Sequence, residues 1–152
     1  RRFGSKAYYG DATRLDLLEA AGARKAKLLV VAVDDPDSAM QIVKTARRHF
    51  RHLKLIVRAH SRSDAFEYVE LGVPAMRETF GSALDAAESA LHGFGYGRVA
   101  ARRIITRFRR HDEQSLAEQS RHRNDTRKLI TLSQQGRRDL EQLLATEAAK
   151  RP

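Results

Sequence analysis

The stretch that most restricts this chain is residues 27–33, Lys-Leu-Leu-Val-Val-Ala-Val. A continuous aliphatic run of strand length, rich in Val, reads as a strand buried on both faces, the pattern of a parallel sheet. Asp34 and Asp35 stop it. Pro36 and Asp37 follow, so Asp35 is the expected cap of a helix with Pro36 at its first position, running to about Phe50. The same unit recurs downstream. Leu53–Ala59 reads as a strand, Ser63 as the cap of a short helix through Leu71 closed by Gly72, and Val73–Met76 as a further short strand. Upstream, Lys6–Gly10 reads as a strand ending at Asp11. Thr13, with Asp16 three residues on, is then the cap of a helix closed by Gly22. Strands alternating with helices at this spacing predict an α/β fold with a parallel sheet and crossover connections.

After Arg77 the alternation stops. Thr79 is the expected cap of a helix through about His92, and Gly93, Gly95 and Gly97 form a flexible joint. The boundary is placed there, giving units 1–92 and 93–152. The second unit is read as a basic helix, Arg98–Arg110, and a further helical stretch from about Leu116 to Ala149. Charge follows the same division. The chain carries a net charge of +10, and most of the surplus lies beyond residue 97. A basic extension can meet nucleic acid, anionic lipid or an acidic protein surface, although a solvated helical face explains a bare surplus more simply. The absence of Cys excludes disulfides, thiolate metal sites and a Cys nucleophile. No apolar run approaches the roughly 20 residues that span a bilayer, and Arg-Arg-Phe-Gly at the start has no apolar secretory region. The chain reads as soluble.

In open parallel sheets, ligands bind beyond the carboxyl ends of the strands. Asp11, Asp34 with Asp35, Arg58 and Arg77 all fall at those ends. Carboxylates there accept hydrogen bonds from ribose hydroxyls or adenine amines, and arginines pair with phosphate or carboxylate. Each position alone is explained by a helix cap or a surface ion pair; together they point to a ligand-binding rim. The Gly-rich turn G-x-G-x-x-G of dinucleotide sites is absent. Gly93-Phe-Gly-Tyr-Gly97 follows a helix instead of a strand. In the strand order 3-2-1-4-5-6, the strand ending at Asp11 would pair through two preceding strands, so the chain reads as the downstream part of a longer protein. His49 and His52 stand among arginines near a helix end, and no Ser lies in a G-x-S-x-G pattern. No catalytic set and no metal site are assigned.

Four segments carry a resemblance: Tyr8–Thr13 (Tyr-Tyr-Gly-Asp-Ala-Thr), Leu18–Gly22 (Leu-Glu-Ala-Ala-Gly), Ala32–Pro36 (Ala-Val-Asp-Asp-Pro) and Val57–Ala59 (Val-Arg-Ala). In this order they resemble a TrkA-N domain, also called RCK, a regulator of potassium conductance. Arg77–Phe80 (Arg-Glu-Thr-Phe) and Arg123–Thr126 (Arg-Asn-Asp-Thr) are similar to the cytosolic C-terminal region of Kef-type glutathione-gated potassium efflux antiporters. The resemblance implies a partial Rossmann-like sheet lacking its first two strands, followed by an α-helical C-terminal extension. It implies an adenine nucleotide, NAD(H) or AMP, held by Asp11, Ala12, Asp34, Asp35 and Arg58, with affinity weakened by the missing Gly-rich turn. It also implies glutathione as regulatory ligand on Arg77 and Asn124, groups whose guanidinium and amide suit its carboxylates and amides. The expected partners are a second copy through the RCK domain, the parent's membrane transporter domain at the cytoplasmic face of a bacterial inner membrane, and an accessory oxidoreductase. The role implied is a sensor and gate, neither an enzyme nor a nucleic-acid binder. Two rivals stand beside it. A fragment of an NAD-dependent dehydrogenase would need a catalytic acid/base and a substrate domain. A basic nucleic-acid module suits the pI near 10.5, but Asp112, Glu113 and Glu118 interrupt its charge and no aromatic platform accompanies it.

Overall fold

The computed structural model describes residues 7–149. Its elements run α1 (Leu15–Ala20), β1 (Leu28–Val31), α2 (Pro36–His49), β2 (Lys54–Ala59), α3 (Arg62–Glu70), β3 (Ala75–Arg77), α4 (Phe80–Gly93), α5 (Arg98–Ser120) and α6 (Thr126–Ala148). Among the described residues the sheet has three parallel strands in the order β1-β2-β3. Val31 lies opposite Val57, and Val57 and Ala59 lie opposite Ala75 and Arg77. The expected α/β architecture with a helical extension is therefore present.

The pleat sorts side chains onto two faces. Val31, Val57 and Ala59 pack on one face with Ala39, Ile42 and Val43 of α2, Ala65 and Tyr68 of α3, and Leu116 of α5. Phe50 anchors a second cluster with Leu18, Ala23, Ala46 and Leu53, which ties α1 to the end of α2. The opposite face carries Leu28, Val30 and Met76. Val30 is 57% exposed and Met76 64%. Double-sided burial of residues 27–33 was expected and is not found, because α2 and α3 lie on the same side of the sheet.

The strand expected over Lys6–Gly10 is also absent from its described part; Lys6 itself lies outside the described residues. Residues 7–9 have no regular structure, and Tyr9 is 94% exposed. A strand exists only through its ladder, and residues 7–9 pair with none of the three described strands.

Capping follows local chemistry with three corrections, one of them at α4, where Thr79 stands at the N-cap position but makes no side-chain capping bond. Asp35 caps α2 as expected, accepting from the Ser38 amide at 2.8 Å. The cap of α3 is Ser61, not Ser63: it forms a reciprocal capping box with Asp64, whose carboxylate accepts from the Ser61 amide at 2.9 Å. Thr13 does not cap α1, which starts after Arg14 without a side-chain cap; the Thr13 hydroxyl bonds back to Asp11 instead. Gly22 and Gly72 close α1 and α3 at φ of 96° and 66°, a left-handed turn that a side chain would strain. The basic helix does not stop at Arg110. It continues without a break to Ser120 and packs on α3 and α4, because Leu116 on its inner side completes the main core.

Candidate functional site

The carboxyl edge of the sheet holds two charged clusters on opposite faces. Arg58 opposes Met76 in register, so Arg77, the next residue, faces the other way. On the open face, Arg58 lies at the centre. Its Nη2 donates to the Ala32 carbonyl at 2.9 Å and to Asp34, and its Nη1 donates to Glu78 at 3.2 Å. The other Glu78 oxygen pairs with His60 Nδ1 at 2.7 Å. The Arg58 Nε is buried with no hydrogen-bond partner among the described residues. Asp34 keeps its side chain 93% exposed. A solvent-exposed loop carboxylate and a largely shielded guanidinium thus stand side by side, one suited to hydroxyl or amine donors and the other to phosphate.

Asp35 and Asp11 are engaged locally. The Ser38 hydroxyl and amide hold the Asp35 carboxyl below the ordinary carboxylate range. The Thr13 hydroxyl and amide donate to Asp11 at 2.7 and 2.9 Å and lower it likewise. Ala12 packs partly buried against the sheet core, which seats this turn beside the strands.

The second cluster lies between β3, α3 and α5. Arg77 pairs with Asp112, which also accepts from Arg62 at 2.7 Å. The Arg77 guanidinium carbon stands 3.7 Å from the centre of the Phe80 ring, and that of Arg109 5.9 Å from the same ring, a cation–π arrangement. A cavity of about 450 Å³ wraps the end of β3 and is lined by Arg58, Arg77, Phe80 and Arg109, among others. The structure thus brings Arg58 to Asp34, and brings Arg58 and Arg77 to the rim of one cavity. It does not bring Asn124 to Arg77. Asn124 is exposed in the turn between α5 and α6, whereas Arg77 lies at the end of β3 and pairs with Asp112, within α5. The neighbouring Arg123 bonds Glu67 and Glu70 of α3 at 3.0 and 3.1 Å.

Sequence reasoning passed over Arg62, Phe80, Arg109 and above all Asp112. The available signal was that Asp112 is the first acid after a helix start carrying six arginines. Among the described residues no group of three or more His, Asp or Glu is placed to hold a metal ion, and no helix is long and apolar enough to cross a membrane.

The fold and these clusters define a class: a parallel α/β unit with ionised groups at the carboxyl edge of its strands and a long helical extension folded back on it. Comparison with known proteins narrows it. Residues 1–76 match the family described as the TrkA-N domain, and residues 82–152 match the potassium efflux system KefB C-terminal domain. The chain belongs to the TrkA-N family, in the branch that carries a Kef C-terminal region.

Its relatives include the glutathione-regulated potassium-efflux system protein KefC of Salmonella arizonae, 43% identical over 126 residues, covering 82% of this chain and 20% of that protein. The protein of the same name from Escherichia coli O139:H28 is 42% identical over 128 residues, covering 84% of this chain and 21% of its own length. The chain thus spans about one fifth of the curated relatives it matches. Among solved structures, the Shewanella denitrificans Kef CTD in AMP bound form is 45% identical, with a TM-score of 0.74 over 78% of this chain and 75% of that one.

Proposed function

We propose that this chain is the ligand-sensing, gating part of a glutathione-regulated potassium/proton antiporter, acting without catalysis at the cytoplasmic face of a bacterial inner membrane. The observation that carries the reading is the pairing of Arg58 with Asp34 at the carboxyl edge of a sheet similar to that of a Kef domain in AMP bound form. An adenine nucleotide, AMP or NAD(H), is placed against Asp11, Ala12, Asp34, Asp35 and Arg58. No Gly-rich turn lies within these residues, so within them the side chains carry the binding.

Glutathione is assigned to Arg77 and Asn124. Arg77 is bonded to Asp112 and Asn124 lies in the α5–α6 turn, so the proposal has a second copy supply Asn124 to the Arg77 of the first. The division into a nucleotide-binding unit, 1–92, and a basic helical extension, 93–152, belongs to the same reading, as do a homodimer, the parent's membrane domain and an accessory oxidoreductase as partners. Gating then follows from differential affinity: a ligand that binds one packing of the dimer more tightly shifts the population toward it.

Isothermal titration calorimetry with AMP, NADH and reduced glutathione tests this on the protein that carries the chain. Arg58→Ala is expected to weaken AMP and spare glutathione, and Arg77→Ala the reverse. Unchanged affinity for both ligands in both variants would remove the assignment.

A further inference from the structure

The carboxylate of Asp112 is shared by two guanidiniums from different elements. One oxygen accepts from Nη1 of Arg62, in the first turn of α3, at 2.7 Å; the other accepts from Arg77, at the end of β3. Arg77 is 13% exposed and Asp112 18%, so the contact is shielded but open at its rim. Arg62 is oriented by a further bond, its Nε donating to Gln119 at 3.1 Å, and Gln119 donates in turn to Ser115 at 3.2 Å. The Phe80 ring backs the Arg77 fork. Two planar forks, each braced and each offering donors to one oxygen, form the geometry that holds any carboxylate. Two cations on one carboxylate leave one positive charge in excess; Arg109 adds to it across the Phe80 ring, and Glu78 and Glu113 on the adjoining cavity offset part of it.

We propose that Arg62 and Arg77 together form a carboxylate-binding site and that Asp112 is its internal competitor, so that a ligand carboxylate binds by taking the place of Asp112. This rests on the reading of Arg77 as a glutathione residue and extends it to Arg62. Displacement frees α5 from its ion pairs to β3 and to α3. Occupancy at the end of the sheet is thereby coupled to the base of the helical extension, the two arrangements excluding each other.

The test is calorimetric titration of reduced glutathione, its dimethyl ester and glutarate into the protein that carries the chain, unaltered and as Asp112→Asn, Arg62→Gln and Arg77→Ala. Each form is first shown by circular dichroism to melt cooperatively. Asp112→Asn removes the competing charge and keeps an acceptor oxygen; it is expected to tighten glutathione binding by about five- to tenfold, the gain when a blocked site becomes available. Arg62→Gln, at a more exposed position that leaves the Arg77–Asp112 pair in place, is expected to weaken binding by about tenfold. The dimethyl ester should bind no form. Glutathione affinity unchanged in both Asp112→Asn and Arg62→Gln, with Arg77→Ala abolishing it, would overturn the displacement and leave the glutathione assignment standing. No glutathione binding by any form, with glutarate tightened by Asp112→Asn, would overturn the glutathione assignment and leave the arginine pair as a carboxylate site.

Discussion

Arg58 and Glu78 stand 3.2 Å apart at the carboxyl edge of the sheet, one on the central strand and the other just past the end of β3. The pair spans the step from strand to helix. Arg58 reaches back to Asp34 and to the Ala32 carbonyl, so one guanidinium joins the loop after β1 to that after β3, and Glu78 adds the loop after β2 by binding His60. Edges of open sheets are where loops carry function, and here ion pairs position the loops together with apolar contacts such as that of Val33.

Replacing Arg58 by Ala removes this link. The ion pairs are partly exposed and contribute modestly, but the Ala32 carbonyl and Glu78 lose their donor together. A stability loss of about 1–2 kcal/mol is expected, measured as a lower urea midpoint at unchanged slope. The same loss at high salt as at low salt would show that the carbonyl bond, not the ion pairs, carries the effect.

Phe50 is a more severe test of the fold. It is almost fully buried at the end of α2, where Leu18, Ala46 and Leu53 surround it. Phe50→Ala leaves a cavity that these side chains cannot close, and is expected to cost about 3–5 kcal/mol in urea denaturation. A cost below about 1 kcal/mol would mean that α1 does not pack as described.

Asp35 predicts an acid-side dependence. Its folded pKa lies below the ordinary value near 3.8, through the Ser38 hydroxyl first and the Ser38 amide second. The cap is therefore fully effective above pH 3.8 and is lost as pH falls through the lowered folded value. Asp35→Ala should lower the melting temperature at pH 7 by about 2–4 °C. The difference between variant and parent should narrow as the pH is brought below 3.8, which thermal melts across that range will read.

Tyr68 predicts the alkaline counterpart. Burial of this α3 side chain in the main core, helped by the neighbouring Asp64 and Glu67, raises its phenol above the ordinary value of 10.0. The folded chain holds this proton more tightly than the unfolded one. Stability is thus fully retained below pH 10 and declines as pH rises from there through the raised folded value. In Tyr68→Phe that part of the decline should disappear, and melting curves at pH 9 and 11 will differ less than in the parent.

Much of the architecture was legible from patterns. The aliphatic run of residues 27–33 ending in Asp-Asp-Pro announced β1, the cap and α2 in one reading, because strand composition and capping are local properties. Errors arose where two local signals competed. Ser61 and Ser63 are both plausible caps by type, and the choice fell to the one whose partner, Asp64, closes a reciprocal bond. The continuity of α5 past Arg110 was hidden by a polar stretch that is helical because Leu116 is held in the core. For the site, Arg58 and Asp34 could be placed at strand ends by counting. Their contact could be inferred only from strand adjacency. The joining of Arg62, Arg77 and Asp112 was not legible, since 35 residues separate Arg77 from Asp112 and 50 separate Arg62 from it.

By itself, the order of residues determined the type and approximate span of most elements, the parallel sense of the sheet and the kinds of charge at its carboxyl edge. Those depend on short-range sterics, periodicity and capping. Which face each arginine takes, which carboxylate it meets, and that one side of the sheet stays open to solvent were decided only in three dimensions. A strand's alternation assigns side chains to a face only once its register with a neighbour is set. An ion pair between distant residues exists only when packing of the apolar faces has already brought their helices and strands together.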